Sequence, residues 1–148
     1  NEFGHPEWID FPREGNGWSF KYCRRQWSLV DNKDLRYEFL NNFDEAMIKL
    51  LRKHKTLAAG QAKQLNMDET NKTIIFSRGD LVFVFNFSPT HSIPDYAFWV
   101  PEKGKYKIVL NSDAPEFGGF DRIDQSLTYS TDDKQFLRIY NTNRTVLV

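Results

Sequence analysis

Residues 81–87, LVFVFNF, constrain this chain more than any other stretch. Successive residues of a strand point to opposite faces, and here both faces are apolar until Asn86. Such a strand has no side to give to water, so the fold must supply a layer above it and a layer below it. It follows TIIFS (73–77), with Arg78-Gly79-Asp80 between them as a tight turn. Further strands are expected at 96–100, 106–110, 136–140 and 145–148, separated by Gly, Pro, Asn and Asp. Short strands spaced by turn residues predict an all-β sandwich over residues 57–148.

The helical signal lies upstream, over residues 32–54. Leu35, Phe39, Phe43, Met47 and Leu50 recur at three- and four-residue steps, with Ala46 and Leu51 widening the stripe. Asp31 or Asn32 is placed to cap the start, and Arg52, Lys53, His54 and Lys55 suit the negative end of the helix dipole. The Asn41-Asn42 pair marks a point where two helices could abut. Residues 55–72 turn polar and read as a connector, with the domain boundary near residue 57. Residues 1–31 hold neither period. They are dense in aromatics, glycines and charges, as a long functional loop is. The chain reads as a piece of something larger, beginning just upstream of that loop.

Composition removes several function classes. Twenty basic residues balance twenty acidic ones with no basic stripe, so nucleic acid is not an expected partner. No apolar run approaches the length that spans a bilayer, so no membrane partner is expected either. The single cysteine, Cys23, fits a reducing, cytoplasmic setting and a packed thiol. His5, His54 and His91 lack metal-ligand spacing. Sequons stand at Asn71, Asn86 and Asn143, and Asn86 lies inside an apolar strand where a glycan would not fit. Arg78-Gly79-Asp80 matches a cell-adhesion tripeptide, but a hairpin needs Gly and Asp there anyway. Phe117-Gly118-Gly119-Phe120 is too short to cradle phosphate and is expected to bend the sheet.

Several long motifs carry a family resemblance. NEFGHPEWIDFPREGNGW (1–18) followed by YCRRQWSLVD (22–31) is similar to the segment after the eighth barrel strand of 1,4-alpha-glucan (glycogen/starch) branching enzymes, in the alpha-amylase superfamily. DLRYEFLNNFDEAM (34–47), RGDLVFVFNF (78–87) and SDAPEFGG (112–119) follow in that family's order. After SDAPEFGG the chain departs from its relatives, running quickly through DRIDQSLTYSTDDKQF to a terse NTNRTVLV. The resemblance implies an α+β fragment. Residues 1–56 would be the end of a (β/α)8 barrel, loop plus terminal helix, and residues 57–148 a C-terminal β-sandwich. It also implies a parent that cuts an alpha-1,4-glucan through a covalent glycosyl-enzyme and passes it to a 6-hydroxyl, with no cofactor. The nucleophilic and acid carboxylates would lie on earlier barrel strands, so this segment alone is expected to be inactive.

Glycoside chemistry needs two carboxylates straddling one bond. Glu2, Glu7, Asp10 and Glu14 meet the composition, yet ion pairs with Arg13, Arg24 or Arg25 account for them better. The candidate substrate-binding residues are Trp8, Trp18, Trp27 and Arg13; packing of the indoles against the barrel is the competing reading. In the sandwich, Tyr96 and Phe98 share one face and Trp99 takes the other. The expected partners are an alpha-glucan and the missing catalytic barrel of the same polypeptide. Alternatives are a stand-alone carbohydrate-binding module, an oligomerisation module forming a homodimer through its orphaned apolar face, or another member of the superfamily such as a debranching hydrolase.

Overall fold

The computed structural model describes residues 2–5 and 9–148. Two helices, α1 (Ser28–Asp31) and α2 (Tyr37–Lys53), precede eight strands. The strands are β1 (Lys63–Asp68), β2 (Thr73–Arg78), β3 (Leu81–Asn86), β4 (Ile93–Trp99), β5 (Lys105–Lys107), β6 (Thr128–Ser130), β7 (Phe136–Asn141) and β8 (Thr145–Leu147). They form a four-stranded antiparallel sheet, ordered β1-β2-β3-β8, and two antiparallel pairs, β4–β7 and β5–β6.

The doubly apolar strand has the two covers it requires. Val82 and Val84 of β3 face a core shared with Ile75 of β2, Tyr96 and Phe98 of β4, and Leu137 and Ile139 of β7. Leu81, Phe83 and Phe85 face the opposite way, onto Phe43, Ala46, Met47, Leu50 and Leu51 of α2. Phe76 stacks on Phe83 at 4.8 Å and extends that second face. The layers therefore run α2, four-stranded sheet, β4–β7 pair. Asn86 ends the apolar run by turning inward, where it is buried. Its Nδ2 donates to the carbonyls of His91 and Asn141, and its Oδ1 accepts from the Ser88 amide. Burial at that position leaves no room for a glycan, as the sequence implies.

The β2–β3 hairpin is closed by Gly79-Asp80, with Arg78 opposite Leu81 and Gly79 at φ +62°. The triplet is spent on internal bonds. Arg78 donates to the carbonyls of Gly60 and Leu57 at 2.9 Å, and Asp80 meets His54 Nδ1 at 2.8 Å. The hairpin thereby holds the end of α2.

Four expectations need correction. The helix starts at Tyr37 rather than residue 32, because the Asn32 side chain accepts from the Asp34 amide and closes a local turn instead. It then runs unbroken through Asn41-Asn42; the Asn42 amide reaches the Glu116 carbonyl, away from its own backbone. The polar connector contains β1, an edge strand with one face in water, whose sequence therefore lacks an apolar run. The strand expected at 106–110 stops at Lys107; beyond it the backbone crosses to β8, with Val148 N donating to Leu110 O at 2.9 Å.

Tyr96 shows how the inner core handles polarity. Its hydroxyl donates to Asp68 Oδ2 and accepts from Asn66 Nδ2, both at 3.0 Å. Burial and the Asp68 carboxylate push its pKa up to about 12. The neutral phenol is thus favoured by the fold, so its contribution is complete below the ordinary value of 10.0 and lost as pH rises towards 12. Tyr96→Phe should flatten the fall in stability over that alkaline window, read from urea midpoints at successive pH values. The α2 layer gives a second expectation. Leu50→Ala should lower unfolding free energy by about 2–4 kcal/mol, whereas Leu40→Ala, at an exposed site on the same helix, should change it by less than about 0.5 kcal/mol.

Candidate functional site

The N-terminal loop is built around Asp10. Arg13 Nε donates to Asp10 Oδ1 at 2.9 Å, and Asn16 Nδ2 donates to Asp10 Oδ2 at 3.0 Å. The hydrogen bond from Arg13, then that from Asn16, draws the Asp10 carboxyl below its usual range. The Asp10 amide donates to the Tyr22 carbonyl at 3.0 Å and closes the base of the loop. At the tip, Gly17 and Trp18 take consecutive left-handed conformations, φ +61° and +56°. The Trp18 amide bonds the Arg13 carbonyl at 3.0 Å, which leaves the indole 66% exposed.

Arg13 and Trp18 are therefore brought together, with the Arg13 charge already matched by Asp10. Trp27 lies apart from them in the loop. Its ring meets buried Phe3 at 4.9 Å, while 51% of its surface stays exposed. Phe3 also meets Tyr37 at the start of α2, edge to face at 6.4 Å, and so pins the segment to that helix. Trp8 and Glu7 lie outside the described residues. Among the other acids of the loop, Glu2 pairs with Arg25 and Asp10 with Arg13. The arrangement can present rings and polar groups to a ligand.

A second polar centre, which the sequence reading passed over, organises residues 111–122. Asp113 is buried, and its carboxylate receives Arg122 Nη2 at 2.8 Å, Arg122 Nε at 3.0 Å and the Arg122 amide at 2.9 Å. Burial pushes the carboxyl up, but the hydrogen bonds from Arg122 and from the amides of Arg122 and Phe120 outweigh it and the pKa is lowered. Arg122 also reaches Asn143 Oδ1 at 2.7 Å and so ties the loop to the β7–β8 turn. The two glycines expected to bend the sheet serve this loop instead. A Cβ on Gly119 would come within 2.2 Å of the Asp113 backbone, and one on Gly118 within 2.9 Å of the Phe39 ring on α2. The signal available in the sequence was Asn111 two residues before Asp113, an Asx-turn pattern; Asn111 Oδ1 accepts the Asp113 amide at 2.9 Å.

Comparison with known proteins adds to this geometry. Residues 65–148 match the family described as alpha amylase, C-terminal all-beta domain. The chain belongs to that family. The strands from β2 to β8 and the loop around Asp113 lie within the matched residues. Relatives matched over nearly the whole chain carry one name. The 1,4-alpha-glucan-branching enzyme of Solanum tuberosum is 50% identical over 143 residues, 97% of this chain and 17% of that protein. That of Yarrowia lipolytica is 56% identical over 128 residues, 86% of this chain and 18% of that protein. That of Saccharomyces cerevisiae is 48% identical over 154 aligned positions, all of this chain and 22% of that protein. The chain spans about a fifth of the length of these relatives.

The Asp113 centre has a testable sign. Its lowered pKa means that its stabilising effect is complete above the ordinary value of 3.8 and is lost as pH falls through the folded value. Arg122→Ala strands a buried carboxylate and should cost about 3 kcal/mol at pH 7. The deficit should shrink in acid, because the carboxyl left without Arg122 takes up its proton at a higher pH than the paired one; unfolding followed from pH 7 downward measures it.

Proposed function

We propose that this chain is the C-terminal part of a 1,4-alpha-glucan branching enzyme, a retaining glycosyltransferase that moves an alpha-1,4-glucan segment to a 6-hydroxyl and so builds alpha-1,6 branches. The observation that carries this is the extent of the match, 50% identity over 97% of the chain to the Solanum tuberosum enzyme. The match to the Saccharomyces cerevisiae enzyme covers all of the chain and so includes residues 1–56, which a stand-alone binding or oligomerisation sandwich would not need. In this reading residues 1–56 are the last loop and terminal helix of the catalytic barrel, and residues 57–148 are the sandwich that buttresses it.

Support for the division comes from side chains that have no cover. Phe11 and Phe20 of the loop and Leu40 and Ile48 of α2 are exposed, and a barrel wall packed on them would remove them from water. The same side would draw two copies of the isolated segment into a homodimer. Trp8, Trp18, Trp27 and Arg13 would stand on the rim of the barrel's active-site face and touch the glucan chain. The reacting carboxylates would come from barrel strands outside this segment, and the chemistry would need neither metal nor organic cofactor. Its single cysteine suits a cytoplasmic setting.

The complete polypeptide carrying this segment should increase alpha-1,6 linkages in amylose, counted by debranching and chain-length analysis. Residues 1–148 expressed alone should add none. Branch formation by the isolated segment would overturn the assignment of roles, and its absence in the complete polypeptide would overturn the activity. Trp18→Ala in the complete enzyme should lower kcat/KM on amylose by roughly three- to tenfold, the worth of one ring contact.

A further inference from the structure

The β4–β7 pair has two faces, and the core uses only one. Tyr96, Phe98, Leu137 and Ile139 point inward. The alternate residues Trp99, Phe136 and Tyr140 point away and remain 41%, 37% and 41% exposed. Trp99 and Phe136 are direct cross-strand partners, so their rings occupy one spot. Tyr140 lies four residues along the same face from Phe136, about 13 Å away at the rise of a strand. Ala97 and Arg138 form a register pair in the interval between them, and Arg138 Nη1 donates to Asp95 Oδ2 at 2.8 Å.

The surface is a row of rings with paired charges between them. Arg138 is matched by Asp95. The guanidinium between the rings is already matched, so a polyanion would gain little by exchanging counterions there. A neutral polyhydroxyl chain suits both parts: CH faces lie on the rings, and hydroxyls reach the guanidinium and carboxylate. The position also favours a free surface. The other outer face of the sandwich is covered by α2, to which the N-terminal segment is pinned, so the proposed barrel lies on the opposite side of the sandwich from these rings.

We propose that the outer face of β4–β7 at Trp99, Phe136 and Tyr140 binds a linear alpha-1,4-glucan, as a holding site distinct from the loop that carries Arg13 and Trp18. The choice of sugar rests on the branching-enzyme reading. A site of this kind tethers the polymer and raises its local concentration near the barrel, an effect that grows with chain length.

The test uses the complete polypeptide in native gels containing amylose. Trp99→Ala/Phe136→Ala should weaken retardation roughly three- to tenfold in apparent dissociation constant, the worth of losing ring contacts. Trp99→Phe should restore most of it, and Tyr140→Ala, at the far end, should give a smaller loss. Circular dichroism and melting temperature establish that each variant is folded. Retardation within twofold of wild type for the folded double variant and for Tyr140→Ala would overturn the site. A wild-type protein that is retarded by amylose but forms no branches would instead overturn the activity, and the variants would still decide the site.

Discussion

A strand that cannot tolerate water on either side sets the architecture. Once Val82 and Val84 are committed to the inter-sheet core, Leu81, Phe83 and Phe85 need a second cover, and α2 supplies it. The helix and the sandwich therefore share one hydrophobic cluster, although they come from stretches of different character. The hairpin behind the strand reinforces the join, since Arg78 and Asp80 bond the segment that leaves α2. Hydrophobic burial fixes which layers meet, and these polar ties fix where along the helix they meet.

Polar order inside the sandwich follows a single logic. Three polar side chains of the interior are satisfied by neighbours of fixed geometry: Asn86 by two carbonyls and an amide, Tyr96 by Asp68 and Asn66, Asp113 by Arg122. A lone buried carboxylate would be costly, and the fork of Arg122 with two backbone amides offsets that cost. The 111–122 loop is consequently held from its centre, with Gly119 permitting the chain to pass against the Asp113 backbone.

How much of this was legible in the sequence depends on what kind of signal each element carries. The central strand, the helical stripe and the hairpin turn were readable because burial on a fixed period leaves a pattern in residue type. β1 was not, because an edge strand with a wet face has a polar sequence like that of a loop. The helix start lies later than the pattern predicts since Asn32 has two local uses, a cap or a turn, and it takes the turn by accepting from the Asp34 amide. Trp99 was correctly separated from Tyr96 and Phe98 by alternation alone, but its partner Phe136 lies 37 residues on and only register brings the two together. Asp113 was hidden for a similar reason: a buried ion pair shows in sequence as two ordinary charged residues. Arg13, Trp18 and Trp27 are candidates from residue type alone, and the geometry adds that Arg13 is tied to Asp10.

Asn86 has a consequence beyond the packing of the sandwich. Oligosaccharide is attached to Asn-X-Ser/Thr while a nascent chain is still threading into a secretory lumen, before its strands have paired. Asn86-Phe87-Ser88 presents such an acceptor, yet its amide must end up enclosed between two carbonyls. A host that exported this polypeptide through that route would decorate an atom the interior has to swallow, and sugar and fold would exclude one another. Production in a compartment without that machinery leaves the amide free to take its place.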